Sequence, residues 1–121
     1  MNMQTSHLNS LLPARATVNE NGILWFDFSS GRLLGLDKHK YMRIATEQGD
    51  ASGGVLYLVP SKSLIPKSTF RVGKSGLYYY INLKRFFGSI NLCFHRKMIS
   101  YSIQNILYEG KRIWMLRKNS Y

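Results

Sequence analysis

The chain has 121 residues, 45% of them apolar and 19% charged, which suits one ordinary domain with a filled core and excludes a disordered or low-complexity segment. Its longest apolar runs, Val55–Val59 and Leu77–Ile81, are five residues long, far short of the roughly 20 that a membrane helix needs. Seventeen Lys and Arg against six Asp and Glu give a net charge of +11, a field that attracts polyanions.

Residues 1–13 are polar, lack periodicity and read as an N-terminal arm. With neither a basic leader nor an apolar stretch they are not expected to be a signal peptide, and a cytoplasmic or otherwise intracellular, reducing compartment is expected. Ala14, Ala16 and Val18 alternate with Arg15, Thr17 and Asn19, the pattern of a half-buried strand. Asn21–Gly22 supplies a turn, because both residues tolerate positive φ. Ile23–Phe28 follows as a strand with Leu24, Phe26 and Phe28 on one face. Ser29–Gly31 reads as the next turn and Leu33–Leu36 as a strand pairing back, which makes a β-meander. Tyr41–Glu47 and Val55–Pro60 read as further strands joined by the surface loop Gln48–Gly54. Ser61–Ser68, with Pro66, marks a crossover inside one domain, since two units of about 60 residues would be small for separate cores.

The second half is patterned more sharply. Thr69–Gly73 reads as a strand, Lys74-Ser75-Gly76 as a tight turn and Leu77–Ile81 as the tyrosine-rich return strand. Asn82 is placed to cap a short helix, in which Leu83, Phe86, Phe87 and Ile90 share a face and Lys84, Arg85 and Ser89 turn away. Gly88 costs that helix about 1 kcal/mol relative to Ala, and Asn91 is placed to end it. Ile99, Tyr101 and Ile103 alternate with Ser100, Ser102 and Gln104, and the break in phase at Asn105, before Ile106, predicts a bulge. Glu109–Gly110 turns the chain into a last strand, Arg112–Arg117, with an apolar centre at Ile113–Leu116. The expected fold is mainly β (β-rich α+β): an N-terminal β-meander, then a hairpin, one short helix and a C-terminal β-hairpin. Residues 14–121 are expected to form a single domain.

The charge is unevenly spread. Residues 1–50 hold five bases and five acids, whereas residues 51–121 hold twelve bases and only Glu109, so the domain divides into a neutral subregion, 14–60, and a basic one, 61–121. Chemistry-bearing motifs are sparse. Gly73-Lys74-Ser75 resembles the end of a phosphate-binding P-loop, but Ser68 stands where the earlier glycine is needed and a strand follows in place of a helix. Cys93 and His95 could share a face as nucleophile and base, yet nothing nearby signals an orienting group or an oxyanion site. A single cysteine gives neither a disulfide framework nor a cysteine-based zinc site. His7 and His39 are isolated and the acids are scattered singly, so no catalytic residue, metal ligand or cofactor is expected.

The positive signal is the mixing of bases with aromatics between Phe70 and Phe94. Cations neutralise phosphates while tyrosines stack on unpaired bases. Arg71, Lys74, Tyr78, Tyr80, Lys84 and Arg85 are the candidate binding residues. On a strand Tyr78 and Tyr80 face one way and Tyr79 the other, so one side must be core. A phosphate held between the turn at Lys74 and the helix start at Lys84 would meet four bases. The order strand, glycine turn, strand, short helix and hairpin over residues 69–118, with the stretch Gly76–Ile90 at its centre, resembles the swapped-hairpin fold of AbrB-like transition-state regulators. That resemblance implies a homodimer of interleaved hairpins and DNA contacts by Arg71, Lys74, Lys84 and Arg85.

The expected function is non-enzymatic binding of nucleic acid, DNA or RNA, by a homo-oligomer or a member of a larger assembly. The alternative is a structural subunit, such as a viral capsid or head protein in a virion, whose basic half meets an acidic protein surface. No membrane partner is expected, because the one short helix needs its apolar face for the sheet.

Overall fold

The computed structural model describes residues 14–47, 53–65, 68–89 and 98–119. The expectations for the arm, Pro66, Ile90, Asn91 and the Cys93–His95 pair, and for most of the Gln48–Gly54 loop, lie outside the described residues.

Eight strands form a closed antiparallel barrel: β1 (Arg15–Val18), β2 (Ile23–Phe26), β3 (Tyr41–Ala45), β4 (Val55–Ser61), β5 (Thr69–Ser75), β6 (Tyr78–Asn82), β7 (Ile99–Tyr108) and β8 (Lys111–Lys118). Their order around the barrel is β1-β2-β6-β5-β3-β4-β8-β7, with β7 pairing back to β1. Strands of the neutral and basic subregions therefore alternate around one wall. Two short helices, α1 (Phe28–Leu33) and α2 (Lys84–Ser89), follow β2 and β6. No helix of the described residues is long and apolar enough to cross a membrane.

Strict alternation fills the interior. Val18, Leu24, Phe26, Met42, Leu56, Leu58, Ile81, Tyr101 and Leu116 are all fully buried, one or two from each contributing strand. Each such side chain stabilises the fold by about 1.5–3 kcal/mol. Since β2 and β6 run antiparallel, the helices that follow them lie at opposite ends of the barrel. At one end α1 sets Gly31 against the ring of Tyr79, so closely that a Cβ there would stand 2.2 Å from a ring carbon. At the other end α2 buries Leu83 and Phe87, and the Leu83 amide donates to Gly22 in the β1–β2 turn at 3.0 Å. Phe86 meets Phe70 edge-on at 6.1 Å.

The hairpin turns follow their residues. Gly76 at φ 61 opens the two-residue β5–β6 turn, and Glu109 (φ 51) with Gly110 (φ 80) makes the β7–β8 turn, where both central residues need positive φ. The barrel corrects three expectations. Phe28 does not extend β2 on the core face, and Ser29–Gly31 and Leu33–Leu36 are not the turn and strand of a meander: they form α1, a second short helix, with the turns after it, because the Asp27 carboxylate caps the helix by accepting the Ser30 amide at 2.7 Å. β5 continues through Ser75, so Lys74 lies in the strand and the turn is Gly76–Leu77. No bulge occurs at Asn105, since the β7–β8 register runs unbroken from Tyr101↔Lys118 to Tyr108↔Lys111. Ile106 is apolar on the outer side for another reason. With Ile113, Tyr57 and Val59 it lines a depression of about 610 Å³ on the outside of the barrel. At its rim the Tyr57 hydroxyl donates to the Glu47 carboxylate, which holds that phenol above its ordinary pKa.

Tyr101 is the largest fully buried side chain, and its hydroxyl donates to the Gly53 carbonyl at 2.8 Å. Burial pushes its pKa up to about 12. The unfolded phenol ionises near 10, so stability is intact below pH 10 and is lost as the pH rises toward about 12. Tyrosinate absorbance followed against pH is expected to show the Tyr101 phenol ionising later than an ordinary tyrosine. Tyr101→Phe is expected to remove it.

Candidate nucleic-acid interface

Half of the barrel wall, β2-β6-β5-β3, carries aromatic and basic side chains on its outer side. Cross-strand partners share a face, and the register pairs Trp25 with Tyr80, Tyr80 with Gly73, Tyr78 with Ser75 and Arg71 with Tyr41. The alternating neighbours of these residues, Leu24, Phe26, Tyr79, Ile81 and Met42, are buried, so the set itself points outward. Trp25 is the hub. Its ring lies 5.1 Å from that of Tyr80, tilted by 47°, and 6.3 Å from that of Tyr78 in an edge-on contact.

Gly73 makes this arrangement possible. A Cβ at that position would stand 2.3 Å from the Tyr80 ring, so the hydroxyl end of the ring lies against the backbone of β5. Tyr78 is 55% exposed, and Trp25, Tyr80 and Tyr41 are half-buried. Aromatic faces partly open to water beside a guanidinium form a surface on which planar bases can stack while a phosphate is neutralised.

Of the six residues read from the sequence, the structure brings three together on this face: Arg71, Tyr78 and Tyr80. Lys74 is not with them. It pairs with the inward Tyr79, and its Nζ sits 5.6 Å from the centre of that ring, at the α1 end of the barrel. Lys84 and Arg85 are exposed on α2, at the opposite end. Tyr79 and Asn82 are separated by roughly 10 Å of strand, so the phosphate expected between Lys74 and Lys84 has no common site. The Lys84 amide is taken by the Asn82 side chain at 3.1 Å.

Two members escape sequence reasoning, Trp25 and Tyr41. The alternation of Leu24 and Phe26 does place Trp25 on the solvent side. What local pattern lacks is any sign that β2 lies beside β6, far along the chain, or that β3 lies beside β5.

The cations are largely free of carboxylates. Among the described residues the recorded ion pair is Arg32 with Asp37, at 3.9 Å. Arg15, Arg43, Arg71 and Arg117 are exposed on the outer side of their strands, while the interior is apolar. Arg15 and Arg117 flank Ser102 on the other half of the wall, away from the aromatic face. Comparison with protein-family models, with curated proteins and with solved structures gave no match.

Proposed function

We propose that this protein binds nucleic acid without catalysing a reaction, and that it receives an unpaired strand on the outer face of β2-β6-β5-β3. The observation that carries this reading is the Trp25–Tyr80–Tyr78 cluster, set outward beside Arg71 on a wall whose other side holds the core. Tyrosines needed only for packing would face inward, as Tyr79 and Tyr101 do. The preference for unpaired strands follows from the chemistry, because stacking on a protein ring requires a base free of its own neighbours. The net charge of +11 adds long-range attraction for a polyanion.

Trp25 itself reports on the test. The chain has two tryptophans, and Trp114 is packed against the core, so Trp114→Phe leaves Trp25 as the sole indole. Adding an unpaired oligonucleotide is expected to quench its fluorescence saturably. The apparent affinity is expected to fall steeply with salt, each neutralised phosphate adding about −0.7 to the logarithmic slope. Negligible binding at both low and moderate salt would remove the proposal.

A further inference from the structure

At the α1 end of the barrel a pocket of about 350 Å³ opens between the 36–40 segment and the β5–β6 hairpin. This lies at the small end of ligand sites, which span about 300–1,000 Å³. One wall is apolar, made by Leu36, Val72 and the ring of Tyr79. The rest is strongly basic, since Lys38, His39, Lys40 and Lys74 all line it. The one acid present, Asp37, faces Arg32 at 3.9 Å, and no carboxylate among the described residues pairs with Lys38, Lys40 or Lys74. Lys74 Nζ lies over the Tyr79 ring, 5.6 Å from its centre, a π contact that leaves its charge uncompensated.

The lining is built, not draped. The Leu36 amide donates to Gly31 and the Lys38 amide to Gly35, both at 2.9 Å, and the Val72 amide donates to Lys40 at 2.8 Å. Gly35, at φ 73, gives the bend that turns the segment back toward the strand. Three lysines lining one small pocket, with no carboxylate paired to them among the described residues, make it favourable for an anion to enter. Compact, multiply charged phosphate suits lysines, which act as point charges, better than a flat carboxylate, which suits the fork of arginine.

We infer that this pocket binds a phosphoryl group carried as a monoester, with Lys38, Lys40 and Lys74 around its oxygens and the Leu36–Val72–Tyr79 wall against the group that bears it. Two sources share this chemistry: a free nucleotide, and the terminal phosphate of a strand. The second rests on the proposed nucleic-acid function, and Gly73 connects the two places. Gly73 lines the pocket and also lies under Tyr80, so the aromatic face and the pocket adjoin, close enough for a stacked strand to reach the pocket with its terminal phosphate.

The test uses three probes: one unpaired oligonucleotide with a 5′-phosphate, the same oligonucleotide with a 5′-hydroxyl, and a nucleoside 5′-monophosphate, each titrated calorimetrically. The phosphorylated strand is expected to bind at least about tenfold tighter than the hydroxyl form, equivalent to about 1.4 kcal/mol. Lys40→Gln with Lys74→Gln is expected to erase that difference. Both residues are exposed, and circular dichroism checks that the fold is kept. Lys84→Gln with Arg85→Gln removes the same charge at the far end and is expected to leave the discrimination intact. Saturable monophosphate binding that is lost in the Lys40–Lys74 variant, with no gain for the phosphorylated strand, supports the site with a free nucleotide as its source. It does so even if the aromatic face binds nothing. Equal binding of both strands together with no monophosphate binding would overturn the inference, as would equal loss of discrimination in the two double variants.

Discussion

Tyr101→Ala is expected to cost about 3–5 kcal/mol of stability, as for other large aromatic truncations in cores. Single domains are stable by only about 5–15 kcal/mol, so this variant is expected to be largely unfolded at modest denaturant. The size of the effect follows from what Tyr101 joins. Its ring is fully buried, and β7 brings it between Ala16 on β1 and Lys118 on β8 by register. Its hydroxyl reaches Gly53, and the adjacent Gly54 carbonyl accepts the Lys118 amide at 2.7 Å. One side chain therefore ties the closing seam of the barrel to the start of β4. Tyr101→Phe keeps the ring but leaves the Gly53 carbonyl without that donor, and is expected to cost about 1–3 kcal/mol. Urea titrations followed by circular dichroism measure both. A loss under 1 kcal/mol for Tyr101→Ala would show that the seam does not depend on this residue.

Elements fixed by local alternation were legible in the sequence. Ala16 and Val18, Leu24 and Phe26, and Tyr79 and Ile81 are buried in the phase that the pattern predicts. The helical face of Leu83, Phe86 and Phe87 is also where spacing puts it, with Lys84 and Arg85 exposed. Failures occurred where tertiary contacts overrule local preference. Ser29, Ser30 and Gly31 are turn formers by composition, yet Asp27 caps them into a helix, and Gly31 is small because Tyr79 lies against it. At Asn105 the change of phase is genuine, but its cause is a second apolar surface outside the barrel and not an irregularity of the strand.

The candidate site was half legible for a related reason. Period-2 reading correctly separates Tyr78 and Tyr80 from Tyr79. It gives no access to strand order, and closure of the barrel makes neighbours of β2 and β6 and of β3 and β5. The sequence pattern ends the strand at Gly73 and puts Lys74 in the turn, whereas β5 runs on through Ser75. Placed in a turn Lys74 would project freely, whereas in β5 it shares the side of Tyr79 and lines the pocket at the barrel's end. Continuation of β5 past Gly73 thus places this base away from the proposed stacking face, at a separate, open pocket.

The aromatic face gives the second large effect. Stacking on protein rings contributes about 1–3 kcal/mol per base, so Trp25→Ala with Tyr80→Ala is expected to weaken binding of an unpaired oligonucleotide by between about 30-fold and 10⁴-fold. The fold should survive, because the rings lie outside the core and a cross-strand pair of this kind contributes only about 0.2–1 kcal/mol. Arg71→Gln is expected to act differently, lowering the salt slope by the roughly 0.7 that one phosphate contact contributes. Charge reversal provides the control. Lys84→Glu with Arg85→Glu changes the net charge as much as Arg117→Glu with Lys118→Glu, and neither pair lies on the stacking face. Both pairs are therefore expected to weaken binding by similar, smaller factors that vanish at higher salt. Salt-matched titrations of the four variants decide between stacking and diffuse attraction. Wild-type affinity in the Trp25–Tyr80 variant, together with a selective loss for the Lys84–Arg85 pair, would move the interface from the barrel wall to α2.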